Sequence, residues 1–352
     1  MTVSESLRSD RLPNPEDTNK PRFSFGLYLP KHVLTNEEIA SWDLRKTPDS
    51  SPLPARAILS VTGVEKRYAA NEKETPLSMG LNAAQQALNG KKPDVVIVST
   101  SFPQGFNFSQ KISEEMGLTP DSHLDVHAAC SGFTRSLSYL KENEQEFNGK
   151  RILLVATEKY SPFLHDLKKE GRNSDPSLAQ TLFSDGAFAI YFELENDLQI
   201  LSSVNHRFPK EVSKCIQMPV EQKLMVPPFI NESIPYPDSG KFEQNGSEVV
   251  TQVRNNICQL VEKTMQDANL KPSDIQMVFP HQGSRPTTET VEKALDGYLV
   301  YKDYREGNFS SGSIPKALMK AVNQGEIKRG DNLVLAGFGA GMFASIAIVR
   351  LG

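Results

Sequence analysis

Apolar and polar positions alternate along the chain in blocks that predict strands and amphipathic helices in turn. The run "FSFGLYLP" predicts a strand ended by proline, and "TNEEIASW" predicts a helix with Thr35 as its N-cap and Glu38 completing a capping box. In "PLSMGLNAAQQALNG" the apolar residues recur at helical spacing before a glycine. Three short apolar runs, "PDVVIVSTS", "GKRILLVATE" and "GAFAIYFEL", are typical of buried strands. This alternation predicts an α/β fold.

The second half of the chain repeats the order of the first. A long helix, "EVVTQVRNNICQLVEKTMQDANL", leads through "KPSD" to the strand "IQMVF", as an earlier helix leads through "KKPD" to "VVIV". Later, "RGDNLVLAGFG" parallels "NGKRILLVATE", and "ASIAIVRL" parallels "AFAIYFEL". The shared order predicts an internal duplication of one βαβ-based unit, with functional loops at the strand ends.

The predicted organisation is a tail followed by two similar halves. Residues 1–21 are polar and proline-rich, which predicts a mobile tail. Residues 22–200 form the predicted first half and residues 201–352 the second. A segment at about 205–245 is rich in Pro, Asn, Ser and Lys and has little periodicity, which predicts a long irregular connection.

Composition and charge exclude several classes of protein. Hydrophobic residues make up 38% of the chain and charged residues 23%, as in ordinary soluble proteins. The formal charge of −4 gives no general reason to expect nucleic acid or an anionic membrane as a partner. No apolar run approaches the ~20 residues that span a bilayer, and the N-terminus lacks the apolar core of a signal peptide. We therefore expect a cytoplasmic protein without a membrane span.

The three cysteines, Cys130, Cys215 and Cys258, form no short-spaced pair. An odd number with no CxxC or HxxxH pattern supports neither a disulfide framework nor a structural zinc site. The GxGxxG and GxxxxGKS stretches that mark common nucleotide-binding sites are absent from the sequence. We therefore expect no metal and no nucleotide cofactor site of these kinds.

Three residues are candidates for catalysis. Cys130 lies among small residues in "HAACSGF", at a predicted strand-to-helix junction, where it fits a buried small hydrophobe as well as a nucleophile. His281 in "VFPHQGS" follows a predicted buried strand, and Asn308 in "EGNFSSGSIP" precedes a helix predicted to begin at Pro315. Singly, these two fit a turn histidine and an ordinary αL or capping residue.

Taken together, the three residues fit the parts of a nucleophilic site. A helix N-terminus and a nearby imidazole lower the pKa of a thiol, which predicts a thiolate at Cys130. A histidine and a neutral amide can both donate hydrogen bonds to one developing oxyanion, which predicts that role for His281 and Asn308.

The sequence resembles the β-ketoacyl-acyl-carrier-protein synthase III family of the thiolase-fold superfamily. The matching stretches run nearly end to end: "GLYLPKHVLTNEEI", "VTGVEKR", "HAACSGF", "LFSDGAFA", "PHQGS", "GNFSSGSIP" and "GFGAGM". The resemblance implies a thiolase fold, with two similar βαβ-based halves in a five-layered α-β-α-β-α arrangement. It implies that Cys130 takes an acyl group as a thioester. It also implies that His281 and Asn308 stabilise the enolate formed when a malonyl-type extender loses CO2. The backbone N–H groups of Cys130 and Gly339 are the implied oxyanion hole.

Two absences separate this chain from other thiolase-fold enzymes. Thiolases use a second cysteine near the C-terminus, but the last cysteine here, Cys258, precedes the histidine motif. Elongating ketosynthases pair two histidines, yet no histidine follows His281. The resemblance therefore favours the class that uses Cys, His and Asn, and the intact set argues against an inactive structural partner.

The chain also departs from the family pattern. Ala57 and Val61 stand where the family usually has a tryptophan and an arginine that clasp the adenine of coenzyme A, which argues against ordinary acetyl-CoA priming. The usual "HQAN" reads "HQGS", with Gly283 and Ser284, and the usual Thr after the catalytic Asn is Phe309. These changes favour a specialised synthase, and Phe309 is predicted to narrow or reshape the pocket.

The resemblance further implies the substrates and partners. The substrates are acyl-CoA or acyl-carrier-protein thioesters, with no other cofactor, and the chain forms a homodimer. Phe106 matches the position that caps the partner's acyl tunnel, although a plain interface aromatic fits equally; Phe309 and Arg285 are the other predicted substrate contacts. Three functions stay open: decarboxylative condensation in a specialised acyl, polyketide or fatty-acid-related pathway; acyl transfer from Cys130 to an alcohol or amine; and a non-catalytic acyl-binding or scaffold subunit.

Overall fold

The structure is a computed structural model that describes residues 19–45, 50–101, 107–170, 181–213, 215–217, 223–224, 232–233 and 243–352. The predicted mobile tail, residues 1–21, lies almost wholly outside the described residues. The helices are α1 (Asn36–Ala40), α2 (Ala55–Thr62), α3 (Pro76–Leu88), α4 (Phe108–Glu115), α5 (Gly132–Glu142), α6 (Glu144–Phe147), α7 (Ser161–Glu170), α8 (Lys210–Ser213), α9 (Gly246–Asp267), α10 (Arg285–Ala294) and α11 (Ser313–Gln324).

Most strands belong to two large sheets. The strands are β1 (Ser24–Tyr28), β2 (His32–Thr35), β3 (Lys66–Ala69), β4 (Val95–Ser99), β5 (Ser122–Val126), β6 (Arg151–Glu158), β7 (Gly186–Glu193), β8 (Leu198–Arg207), β9 (Ile216–Gln217), β10 (Lys223–Leu224), β11 (Glu232–Ser233), β12 (Glu243–Gln244), β13 (Ile275–Pro280), β14 (Asn332–Gly339) and β15 (Phe343–Leu351). The first sheet has the order β1-β7-β6-β4-β5, and the second has the order β13-β14-β15-β8.

The two sheets repeat one topology. In each, an antiparallel strand (β1 or β8) lies beside the last strand of its half (β7 or β15), which is antiparallel to a long central strand (β6 or β14). A parallel strand (β4 or β13) follows on the other side. The edge strand β5 of the first sheet has only an isolated parallel bridge, Val278 to Val300, as its counterpart in the second. The predicted duplication is confirmed.

Helices and sheets alternate in five layers. Helices α3 and α4 cover the outer face of the first sheet with Met79, Ala83 and Ile112, in a cluster of buried apolar side chains. Helices α5 and α11 lie between the sheets, where Phe133 and Ile314 belong to one central apolar cluster. Helices α9 and α10 cover the outer face of the second sheet. Burial of each apolar face by the next layer produces the α-β-α-β-α arrangement, and the thiolase fold is confirmed.

The ends of the helices refine the sequence predictions. Thr35 caps α1, because its Oγ1 accepts a hydrogen bond from the N–H of Glu38 at 3.2 Å. The reciprocal capping box is formed instead by Thr75 and Ser78 at the start of α3. Helix α11 begins at Ser313, two residues before the proline that was expected to start it.

The connection predicted at about 205–245 begins inside a regular strand. Strand β8 continues to Arg207 in the second sheet, because it pairs with β15 along its length. After α8, two short antiparallel pairs follow, β9 with β12 and β10 with β11. Other parts of the segment lie outside the described residues, and the boundaries of the two halves stay predictions.

Two searches of the described residues returned nothing. None of their helices is both long and apolar enough to cross a membrane. In the same part of the chain, no group of three or more His, Cys, Asp or Glu side chains is placed to hold a metal ion.

Candidate active site

Cys130 lies in a tight turn between β5 and α5. Residues Ala129–Ser131 form a single 3-10 turn, and α5 starts at the next residue. Ala129 has φ +43°, a left-handed conformation that costs a non-glycine residue about 1–3 kcal/mol. The carbonyl of Ala128 holds the turn by accepting from the N–H of Ser131 at 3.0 Å and from its hydroxyl at 2.6 Å. This strained turn places Cys130 at the N-terminal end of a helix.

Gly339, at the end of β14, packs its backbone directly against this turn. A Cβ atom on Gly339 would lie 2.7 Å from the carbonyl oxygen of Ala128 and 3.1 Å from the backbone nitrogen of Cys130. Only a residue without a side chain fits there, so the strand backbone comes close to the nucleophile. The structure thus brings together the two backbone segments predicted to form the oxyanion hole.

His281 follows β13 and is buried. Its N–H donates to the carbonyl of Ala336 on β14 at 2.8 Å, which continues the parallel pairing beyond the strand. Burial lowers the pKa of His281 to about 3, so the imidazole is neutral at physiological pH. Within the described residues, Nδ1 has no hydrogen-bond partner. A neutral imidazole can donate from Nε2 to an oxyanion without carrying a charge of its own.

Asn308 is held on both sides by backbone pairing. Its N–H donates to Leu182 at 2.7 Å, and its carbonyl accepts from Ser184 at 2.9 Å. The side-chain oxygen accepts from the N–H of Ser310 at 2.7 Å, which turns the amide NH2 in the other direction. The side chain of Asn308 also interacts with the thiol of Cys130 and lowers its pKa, so a substrate oxygen would take the place of that contact.

The two donors meet around Gly283. A Cβ atom on this glycine would lie 3.0 Å from Nε2 of His281 and 3.6 Å from Nδ2 of Asn308. Nε2 of His281 and Nδ2 of Asn308 therefore both lie close to Gly283, on the same side of the site. Two neutral donors placed near each other can stabilise a single developing negative charge.

Cys130, His281 and Asn308 line one cavity of about 40 Å³. Its other walls come from both halves and from the long connection: Ala129, Tyr160, Leu182, Phe183, Ile216, Gln244, Val249, Gly283, Ser284, Thr287, Phe338 and Ala340. A cavity of this volume holds a few water molecules. An acyl chain of several carbons therefore requires the lining side chains to move.

The thiol of Cys130 is protonated at physiological pH. Burial raises its pKa to about 12, although hydrogen bonds with the side chains of Ser310 and Asn308 act in the opposite direction; the charge of Glu158 raises it further. The prediction of a lowered pKa at Cys130 is wrong. Desolvation outweighs the helix N-terminus, and the neutral His281 offers no positive charge.

Glu158 is a site residue that the sequence analysis missed. It ends β6, is completely buried, and has its pKa raised to about 7 by burial. Its carboxylate accepts from the N–H of Ser101 at 3.0 Å and from the hydroxyl of Ser311 at 2.6 Å. The signal in the sequence was a charged residue at the end of an apolar run. Such a residue usually marks only the place where a strand ends and a loop begins.

The remaining predicted contacts are placed away from the cavity or outside the described residues. Phe309 is fully buried against Tyr68 and Phe188, with its side chain in an aromatic cluster, so its predicted substrate contact has no support in this geometry. The side chain of Arg285 donates from Nη2 to the carbonyl of Ser60 on α2. Phe106 lies outside the described residues, and its role stays a prediction.

The surface of α2 lacks the usual adenine clasp. Val61 is 51% exposed, and Ala57 on the same helix is partly exposed. Trp42 offers no substitute, because it is buried in a cluster with Ile39 and Ile58. Neither an aromatic face nor a guanidinium is therefore presented at the two positions that carry them in the family.

Comparisons with known proteins agree with this geometry. The family described as 3-Oxoacyl-[acyl-carrier-protein (ACP)] synthase III matches residues 124–207, and its C-terminal family matches residues 265–351. The β-ketoacyl-[acyl-carrier-protein] synthase III of Pasteurella multocida is 30% identical over 337 residues, covering 93% of this chain and 98% of that protein.

Two solved structures show the same fold. The priming β-ketosynthase from the R1128 polyketide biosynthetic pathway has a TM-score of 0.74 and 24% identity, covering 97% of this chain and 98% of that chain. A cysteine-to-serine variant of Xanthomonas campestris OleA, with bound lauric acid and lauroyl-CoA, has a TM-score of 0.75 and 17% identity, covering 94% of this chain and 98% of that chain.

Proposed function

Since the chain belongs to the β-ketoacyl-[acyl-carrier-protein] synthase III family, we propose that it catalyses a decarboxylative Claisen condensation. An acyl group carried on Cys130 is joined to a malonyl-type thioester. The observation that supports this most directly is the convergence of Cys130, His281 and Asn308 on one cavity. The two neutral donors beside the thiol match the needs of an enolate rather than those of a hydrolytic base.

The first half-reaction loads the acyl group. The sulfur of Cys130 attacks the carbonyl carbon of an acyl thioester, and the N–H groups of Cys130 and Gly339 hold the tetrahedral oxyanion. Collapse expels the donor thiolate, which takes a proton from solvent, and leaves the acyl-enzyme. The close approach of Gly339 to the turn supports this pairing of donors.

The second half-reaction forms the carbon–carbon bond. The thioester carbonyl of the extender accepts hydrogen bonds from Nε2 of His281 and Nδ2 of Asn308. These donors stabilise the enolate left when the carboxylate departs as CO2. The enolate carbon attacks the acyl carbon and expels the sulfur of Cys130. Loss of one such donor typically costs a factor of about 10²–10³ in rate.

A radiolabel experiment tests the proposal. The protein is incubated with a library of acyl thioesters and with malonyl thioester labelled in its free carboxyl group, and released CO2, products and intact protein mass are measured. We expect an acyl adduct on Cys130 and CO2 release that depends on His281 and Asn308. Ester or amide products without CO2 would instead establish acyl transfer, and neither adduct nor CO2 would establish a non-catalytic subunit.

Delivery and assembly form the finer part of the proposal. The substrates are thioesters of coenzyme A or of an acyl carrier protein, and the pathway is a specialised one, because α2 lacks the adenine clasp.

The enzyme works as a homodimer: β5 is an edge strand of its sheet and directly precedes the nucleophile turn. An unpaired strand edge is a ready surface for pairing with a second copy. Light scattering measures the mass in solution, and a monomer would contradict this part.

A further inference from the structure

A line of buried polar side chains connects the nucleophile to Glu158. The side chain of Ser310 lies near enough to the thiol of Cys130 for their interaction to lower the pKa of the thiol, although burial raises that pKa overall. The side-chain oxygen of Ser310 lies 3.0 Å from the hydroxyl oxygen of Ser101, and either can be the donor. The hydroxyl of Ser101 donates in turn to Oε1 of Glu158 at 3.1 Å. The last three residues are each less than a tenth exposed, so bulk water does not compete for these bonds.

We propose that Glu158 is the acceptor of the Cys130 thiol proton, reached through the hydroxyl groups of Ser310 and Ser101. This inference rests on the proposed function and names a residue that the reaction needs before the sulfur can attack. His281 does not have to serve as the base, because burial lowers the pKa of its imidazole to about 3 and makes it a poor proton acceptor.

The hydrogen bonds along this line can form both before and after the proton moves from Cys130 to Glu158. Before, Cys130 donates to Ser310, Ser310 donates to Ser101, and Ser101 donates to the Glu158 carboxylate. After, each bond is reversed, with the protonated carboxyl donating to Ser101 and Ser310 donating to the thiolate. Tyr160 donates its hydroxyl to Ser310 at 3.2 Å in both states, because that oxygen has a second lone pair.

The protons also balance over the whole cycle. The proton that leaves Cys130 stays on Glu158 while the acyl-enzyme exists, and the expelled donor thiolate takes a proton from solvent. Condensation breaks the bond between sulfur and acyl carbon and regenerates the thiolate, which recovers the stored proton along the same line. One proton from solvent is consumed per turnover, as the loss of CO2 from a carboxylate requires.

The charge state of Glu158 fits the role. Burial raises its pKa to about 7, so the carboxyl can both accept and return a proton near neutral pH. The titratable groups that face it are Cys130 and Tyr160, and burial keeps both neutral in this range. The other groups against the carboxyl are the hydroxyl and N–H donors of Ser101 and Ser311. Below about pH 7 the acceptor is already protonated, and above it the acceptor is available.

Alkylation of the unliganded protein tests the relay without any substrate. The rate of iodoacetamide modification of Cys130 is followed by peptide mass spectrometry from about pH 5 to about pH 10. We expect the wild-type rate to show a step centred near pH 7, above which it continues to rise as the thiol itself, with a pKa of about 12, begins to ionise. Glu158→Gln and Ser101→Ala should lose that step and react roughly 100-fold more slowly at about pH 8, as expected for loss of a general base.

Two internal controls separate the relay from a general disturbance. Cys258, whose thiol donates to the carbonyl of Ala294, should keep its alkylation rate in every variant. Ser138→Ala removes another buried hydroxyl from α5, the helix that follows Cys130; this hydroxyl lies 3.3 Å from that of Ser345. The variant should leave the pH dependence of Cys130 alkylation unchanged. The thermal midpoint of each variant checks folding. Ser101→Ala retains the N–H bond to Glu158 and decides the question if Glu158→Gln does not fold.

The outcomes are distinct from those of the proposed function. A pH step near 7 that persists in both variants, even with a uniformly lower rate, would show a purely structural role for Glu158 and overturn the proposal. A step lost in Glu158→Gln but kept in Ser101→Ala would overturn the route through Ser101. If no thioester reacts with the wild type, the condensation proposal fails, while the alkylation profile still tests the relay.

Discussion

The two halves of the molecule share a framework but differ in the residues at equivalent places. In each half a strand or bridge at the sheet edge leads to a residue with positive φ, a 3-10 turn and a buried central helix. The positive-φ residues are Ala129, at +43°, and Ser310, at +49°. The next position is Cys130 in the first half and Ser311 in the second. The duplicated backbone therefore offers two nucleophile turns, and only one carries a thiol.

The strands that face these turns differ in a complementary way. The central strands β6 and β14 have eight residues each and end at Glu158 and Gly339. Gly339 presses its backbone against the Cys130 turn, whereas Glu158 extends a carboxylate to Ser311. Each turn thus faces the strand of the other half. The turn of the first half therefore carries the nucleophile and packs against the backbone of Gly339. The turn of the second half instead supplies Ser311 as a hydrogen-bond donor to the buried carboxylate of Glu158.

The largest expected effect distinguishes the two turns directly. Cys130→Ala should abolish the acyl adduct, because no other thiol lies in the cavity lining, and intact-mass spectrometry measures this. Ser311→Ala should still acylate at Cys130. In this variant the pH step in the alkylation rate of Cys130 should move to higher pH. The hydrogen bond from the Ser311 hydroxyl lowers the pKa of Glu158, so losing that bond lets the pKa rise. An adduct on Cys130→Ala, or a shift to lower pH in Ser311→Ala, would contradict this assignment.

The next effect separates the half-reactions. His281→Ala and Asn308→Ala should each slow CO2 release from a malonyl thioester by about 10²–10³, because each removes one donor to the enolate oxygen. Acylation of Cys130 should fall far less, since its proposed oxyanion donors are backbone groups. Single-turnover acylation and labelled CO2 release measure the two steps separately. Equal losses in both steps would show that these residues act on the thiol instead.

The fold could be predicted from the sequence because its signals are local and repeated. The runs that became β4, β6, β7, β14 and β15 are apolar over most of their length, and their order recurs in both halves. The positions of Cys130 and His281 follow from the same logic, because each comes soon after a strand at a sheet edge, whereas Asn308 follows a 3-10 turn, Tyr304–Glu306.

The rest of the site depends on contacts between residues distant in sequence. The state of the Cys130 thiol could not be predicted, because desolvation by the assembled cavity sets its pKa. The burial of Glu158 depends on Ser311, 153 positions away. Phe309 lies away from the cavity because its ring packs with Tyr68 and Phe188, which come from distant parts of the chain, whereas Asn308 before it lines the cavity. That segment was expected to be only a loop before a helix.

A smaller effect tests the close packing of Gly339. In Gly339→Ala the new Cβ would meet the carbonyl of Ala128 at 2.7 Å, and both atoms are fixed by backbone. The turn must shift, so we expect acylation to slow about tenfold and stability to fall by about 1–3 kcal/mol. Gly246→Ala, where nothing lies within 4 Å, is the matched control. Quenched acylation assays and thermal unfolding check both variants. A wild-type rate of acylation in Gly339→Ala would show that Gly339 is not part of the oxyanion hole.

The smallest effect concerns Gly283, the position where this chain departs from the alanine usual in the family. A Cβ in Gly283→Ala would lie 3.0 Å from Nε2 of His281, so the imidazole must move by a few tenths of an ångström. Since a misplacement of about 1 Å can cost a factor of about 10², we expect a loss of about three- to tenfold in CO2 release. Acylation of Cys130 should be unchanged, because the imidazole serves only the second half-reaction. Labelled CO2 release, with Gly246→Ala again as the control, measures the effect. Faster CO2 release in Gly283→Ala would contradict this expectation. It would mean that the added methyl group positions the imidazole, and that glycine at this position leaves more space beside His281 at the expense of the rate.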